Sequence, residues 1–164
     1  GWLLYAGGPY RGQVIDTEIR QPIEGAVVLI DWRRHVYGGA GGPVKYPHSA
    51  REVLTDKEGR FYVPWFVRLS LNPFSVVLEP NWFAYYPGYT PDGVLVTPPS
   101  GVPLNDKTVL LMRRVRSRQE RLQAVDTFPP DVPNEAMPNL IRLVNNERTA
   151  LGLKPVHVSS GARQ

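Results

Sequence analysis

The residues able to do chemistry in this chain are few and scattered. There are three histidines, His35, His48 and His157, and no cysteine. Disulfides, thiolate metal sites, covalent haem attachment and cysteine nucleophiles are therefore excluded for this chain. No two histidines stand at metal-ligand spacing, and no His-Glu-x-x-His occurs. Ser49 follows His48, but without a Gly-x-Ser-x-Gly elbow this is adjacency, and no nucleophile, base and orienter can be assembled. Asp16, Asp31 and Asp56 offer oxygen ligands, yet the alternating acidic loop of a calcium site is missing. Residues 38 to 49 hold four glycines within five positions, but lack the Gly-Lys-Ser/Thr ending of a phosphate loop and are not followed by a helix. The expectation is no catalytic set, no metal and no cofactor.

Two stretches could instead bind. Trp82, Phe83, Tyr85, Tyr86 and Tyr89 place five aromatics in eight positions. Such rings stack on sugar faces, anchor protein interfaces, or close a domain's own core. Arg113, Arg114, Arg116, Arg118 and Arg121 form a basic run. It lacks interleaved stacking aromatics, and Glu120 and Asp126 lie close by, so it reads as a solvated, partly ion-paired face rather than a nucleic-acid track. The formal charge of +4 permits an acidic partner without demonstrating one.

The positioning elements are short. Residues 10 to 16 predict a strand ending on Asp16, whose carboxylate caps the following turn. Pro22 fixes φ, and Gly25 supplies a conformation that side chains resist. Ala26 to Ile30 is too continuously apolar for a half-solvated strand and predicts a central one over 24 to 37, with Ala26, Val28, Ile30 and Trp32 toward the core. Asp56 to Gly59 predicts a hairpin turn between strands 50–56 and 60–67, with Gly59 at positive φ. Pro64 marks an edge or bulge. Further strands are predicted over 74–79 and 107–112, with loop over 92–106. Ser117 and Glu120 have capping-box spacing and predict a helix over about 118–125. Beyond the stiff Phe128–Pro133 linker, Pro138 opens a helix to about 151. Its stripe of Met137, Leu140, Ile141, Val144 and Leu151 either packs on the chain's own sheets or docks into a neighbouring subunit.

The paired pattern of Pro22-Ile-Glu-Gly25-Ala26 and Thr55-Asp56-Lys-Glu-Gly59-Arg-Phe61 resembles the carboxypeptidase regulatory-like domain over roughly the first two thirds of the chain. The resemblance implies a mainly β protein: an antiparallel immunoglobulin-like or transthyretin-like β-sandwich of about seven strands, here with two short C-terminal helices. It divides the chain into an apolar segment over 1–9, a sandwich over 10–112 and a helical extension over 113–164. Such domains are usually non-catalytic accessories of exported proteins, serving adhesion, assembly or ligand binding. A related sandwich hosts dioxygenases whose iron is held by two tyrosines and two histidines. Here His35, Tyr37, Tyr46 and His48 bracket one loop, without that family's close histidine pair.

Gly1-Trp2-Leu3-Leu4-Tyr5 is an apolar start without an initiator methionine, read here as a signal-cleaved end, with trimming as the alternative. The segment either adds an edge strand or inserts into a partner, and a lipid anchor would require a cysteine preceding Gly1 in the precursor. The combined expectation is a non-enzymatic, exported subunit: periplasmic, outer-membrane-associated or extracellular. It would bind other proteins of a bacterial envelope or extracellular assembly, and not nucleic acid. The alternative is a carbohydrate-binding module using the Trp82–Tyr89 loop.

Overall fold

The computed structural model describes residues 4–37, 41–42, 44–69, 74–77, 80–97, 109–129 and 132–156. Among them run β1 (Leu4–Gly7), β2 (Tyr10–Asp16), β3 (Val27–Val36), β4 (Val44–Leu54), β5 (Arg60–Val63), β6 (Phe66–Leu69), β7 (Ser75–Val77), β8 (Asn81–Tyr85), β9 (Tyr89–Thr97) and β10 (Val109–Arg114), then α1 (Arg118–Ala124), a 3-10 turn at Asn134–Ala136 and α2 (Pro138–Ala150). One sheet has the order β5-β2-β10-β9. The other has the order β4-β3-β7, with β8 also paired to β3. β1 and β6 form a separate antiparallel ribbon. The protein is thus mainly β, a sandwich with a C-terminal helix. Among the described residues its strand pairings are antiparallel except where β10 runs parallel to β2.

β3 is the strand that the other layers share. Val27, Val28, Leu29, Ile30 and Trp32 are all fully buried. Ala26 and Val28 meet Val14, Phe61, Leu110 and Met112 of the opposite sheet, and Ile30 and Trp32 extend that core toward Val63. Val27 and Leu29 point the other way, into a second core with Tyr85, Met137, Leu140, Ile141 and Val144. A strand buried on both faces reads as a continuous apolar run, which is the pattern of residues 26 to 30. The helical extension is therefore a third layer. Each of its buried Leu, Ile, Val or Met side chains contributes roughly 1.5–3 kcal/mol of burial.

Local signals set the helix ends. Ser117 Oγ accepts from the Glu120 N–H at 3.1 Å, and Glu120 reaches back to the Arg116 N–H at 2.7 Å. Pro138 occupies the first turn of α2. Gly152 has φ of +76°, and the Leu153 and Gly152 amides donate to the Arg148 and Thr149 carbonyls, closing a left-handed cap. Glu52 of β4 supplies what Met137 cannot, since its carboxylate accepts from the Asn139 and Leu140 N–H groups at 2.6 and 3.0 Å.

Several expectations are corrected. The Asp56–Gly59 turn does not close a hairpin: β4 pairs with β3 and β5 with β2, so the chain crosses between sheets there. The crossing puts Phe61 and Val63 into the inter-sheet core. β4 begins at Val44 rather than 50, because it extends alongside the far half of β3. β9 occupies 89–97, much of which reads as Pro- and Gly-rich loop, because it pairs with β10. β5 is an edge strand that ends at Val63, directly before Pro64. Phe74 and Val76 are exposed, at 69% and 53%.

Candidate functional site

Asp16, at the end of β2, is buried and saturated. Its Oδ1 accepts from the Glu18 and Ile19 N–H groups at 2.8 and 3.1 Å. Its Oδ2 accepts from Tyr89 Oη at 2.6 Å and from Arg114 Nε at 2.7 Å. Burial by itself would raise the Asp16 pKa, but these hydrogen bonds outweigh it and hold the carboxyl well below the usual carboxylate range. The Tyr89 phenol is pushed up, first by burial and then by its bond to Asp16. The Arg114 guanidinium is raised by its bond to Asp16. With its lone pairs committed to these bonds, the carboxylate ties the β2 end to β9 and β10.

The other turn residues behave similarly. Asp56 Oδ1 accepts from the Glu58 and Arg60 N–H groups, both at 2.9 Å. Thr55 is buried, donates to the Ile23 carbonyl at 2.6 Å and accepts from the Ala26 N–H at 2.9 Å. Gly25 and Gly59 have φ of +75° and +69°. Among the described residues no group of three or more histidines, cysteines or carboxylates could hold a metal. His35 makes an edge-on contact with Tyr37, their ring centroids 6.2 Å apart. The side chains of Tyr46 and His48, and His157 altogether, lie outside the described residues.

The aromatic stretch is consumed by the chain's own packing. Trp82 and Tyr86 lie against the inter-sheet core, where Trp82 meets the Tyr10 and Phe61 rings at centroid distances of 5.6 and 6.0 Å. Phe83 and Tyr85 turn to the helix side, and Tyr85 is 1% exposed. Tyr89 holds Asp16 and meets the Tyr86 ring. Alternation along β8 sends these rings to opposite faces, so they make no single platform. The docking reading of Leu140, Ile141 and Val144 is corrected likewise: they are buried against Val27, Leu29 and Tyr85 of their own chain. Of the N-terminal docking residues, Trp2 and Leu3 lie outside the described residues, while Leu4 and Tyr5 pair in backbone register with Leu69 and Arg68.

The basic run is ion-paired: Arg113 with Glu120, Arg114 with Asp16, Arg116 with Glu18, and Arg121 with Glu147 of α2. The first and last of these pairs join α1 to β10 and α2, and the other two join the β10 end to the end of β2 and its following turn.

Two surface features were not singled out by reading the sequence. The first is a cleft of about 510 Å³ on the β2–β5 ladder, lined by Arg11, Gly12, Gln13, Asp56, Arg60, Phe61 and Tyr62. The second is β6, where Val67 and Leu69 alternate onto one exposed face and Trp65 precedes them, at 46%, 69% and 64% exposure. The available signal was alternation within short strands, which carries little information until the pairing partner is known. Compared with known proteins, the chain matches no family model, no curated protein and no solved structure.

Proposed function

We propose that this protein is a non-enzymatic structural or assembly subunit of the bacterial cell envelope or exterior, and that it binds another protein through the β1–β6 ribbon. The observation that carries the reading is the exposed apolar surface around β6. Among the described residues ten large apolar side chains are exposed, and six of them fall between Tyr62 and Val76. A two-stranded ribbon is marginal by itself, and among the described residues neither edge pairs with a further strand, so a partner strand can add there. Trp65, Val67 and Leu69 supply the apolar anchors such an interface uses. The Asp16 carboxylate, with both oxygens committed to hydrogen bonds within the fold, supports a structural rather than a catalytic role for that cluster. The exported location rests on the resemblance to the carboxypeptidase regulatory-like domain.

The test is sedimentation of the protein extracted from its native cells after envelope fractionation. The expected result is an envelope or extracellular fraction in which the chain travels in a complex. The double substitution Trp65→Ser with Leu69→Ser should release it as a monomer of unchanged melting temperature. A wild-type chain that sediments alone from every fraction would overturn the reading.

A further inference from the structure

On the reading that the β1–β6 ribbon is an interface, the charge beside it decides what docks there. Core layers follow one another along β3. Val28 meets Val14 and Phe61, and Ile30 and Trp32 meet Val63. The Tyr10 ring closes this series, its centroid 5.9 Å from that of Trp32. Tyr10 and Val63 form the last rung of the β2–β5 ladder, and the ribbon begins beyond it, at Gly7 with Phe66. Arg34 is the next residue of β3 on the same face as Trp32, about 7 Å farther on. It therefore stands past the last core layer, at the open end of the sandwich to which the ribbon belongs. Its register partner on β7 is Val77.

Arg34 is half-buried, and its Nε is shielded from solvent without a hydrogen-bond partner. Among the described residues no carboxylate pairs with it. Arg33, on the other face of β3, differs: its Nε pairs with Asp31 at 3.1 Å. Burying part of a guanidinium without a counter-charge costs stability, so such a group points to a contact completed from outside. The chain at this end has no acid to offer. Residues 4–10, 33–37, 44–48, 62–69 and 75–77 include Arg33, Arg34, Lys45 and Arg68 and no Asp or Glu. With Arg33 matched by Asp31, these segments retain a positive formal charge. A second copy of the chain would bring the same cations to a two-fold interface, where like charges repel. We propose that the partner of the ribbon is an extended segment of another protein that carries carboxylates among its apolar residues. Its backbone would add to an edge of the ribbon, its apolar side chains would cover Val67 and Leu69, and one carboxylate would reach Arg34.

The experiment titrates the full chain with the peptide Val-Thr-Glu-Thr-Val-Thr-Glu-Thr-Val, followed by calorimetry and by backbone amide shifts. Peptides with glutamine or lysine in place of both glutamates serve as comparison ligands. Saturable binding of the acidic peptide is expected, with shifts at Leu4–Gly7, Phe66–Leu69 and Arg34. The glutamine peptide should bind about tenfold more weakly, the loss of a charge-assisted hydrogen bond, and the lysine peptide not measurably. Arg34→Met should remove the tenfold preference, and Arg34→Lys should retain part of it. Arg34→Met should also keep or raise the melting temperature, because it removes an unanswered charge and fills the same space. No binding of the acidic peptide, equal binding of all three peptides, a preference that survives Arg34→Met, or a lower melting temperature of that variant would each overturn the proposal. So would self-association of the chain alone that Trp65→Ser with Leu69→Ser abolishes, since a second copy would then be the occupant. Loss of the acidic preference leaves the ribbon standing as an interface. Failure of the ribbon itself shows separately, as a wild-type chain that sediments alone from every fraction.

Discussion

At Asp16 a single buried carboxylate accepts four hydrogen bonds, two of them from residues 73 and 98 positions away. Asparagine in its place would keep the shape but lose the charge facing Arg114 and one acceptor oxygen. Asp16→Asn is expected to cost about 2 kcal/mol at neutral pH, the loss of a charge-assisted hydrogen bond to a half-exposed arginine, measurable by urea denaturation. Because the folded-state pKa is depressed, the unfolded chain binds more protons in acid. The stabilisation is therefore complete above the unfolded value of about 3.9 and is lost as pH falls below it. Wild type should lose its advantage over Asp16→Asn steadily as pH falls from about 4 toward 2, the gap between the two denaturation curves narrowing by about 1.4 kcal/mol per pH unit. A constant gap across that range would contradict the assignment. That Asp16 caps a turn was legible in the sequence, because Glu18 and Ile19 are its neighbours. Tyr89 and Arg114 were not, because nothing local selects them.

At the scale of elements, the glycine turns divide by what surrounds them. Gly59 and Gly152 both have positive φ, at +69° and +76°. A Cβ on Gly59 would meet the Val14 carbonyl oxygen at 2.5 Å and Pro22 Cβ at 2.9 Å, whereas one on Gly152 meets nothing within 4 Å. Gly152→Ala should therefore cost about 1 kcal/mol, the conformational penalty alone. Gly59→Ala should cost about 3 kcal/mol or more, since backbone must move as well. Thermal denaturation of the two variants separates these terms, and equal losses would refute the close approach. Positive φ at Gly59 follows from the turn pattern. That this turn joins two different sheets follows from which strands Phe61 and Val63 are drawn to cover. The N-terminus of α2 makes the same point, since Glu52, which caps it, lies 87 residues before Asn139.

For the molecule as a whole, the shared strand has a thermodynamic consequence. β3 gives Val28 and Ile30 to the sandwich core and Val27 and Leu29 to the helical core. Neither core can open without disturbing the other, so the chain should unfold in one transition. Tryptophan fluorescence, which includes Trp32 and Trp82 of the sandwich, and circular dichroism at 222 nm, dominated by the helices, should report coincident denaturant midpoints. Leu140→Ala, which opens a cavity in the helical core, should lower both together by about 3 kcal/mol. Loss of the helical signal ahead of the fluorescence change would show that the extension is an appendage after all.

The sequence by itself determined what depends on near neighbours: the turns at Asp16, Gly25, Asp56 and Gly59, the edge marked by Pro64, the caps at Ser117 and Gly152, and a central strand too apolar to face water. These are set by φ preferences and by hydrogen bonds spanning two to six residues. Tertiary structure decided what depends on partners. It sent the aromatics of 82 to 89 into two cores and laid the α2 stripe against Val27 and Leu29. It also brought Arg11, Gln13, Arg60 and Tyr62 onto one face. Burial and cross-strand register are set by which surfaces meet, and residue spacing carries no record of that.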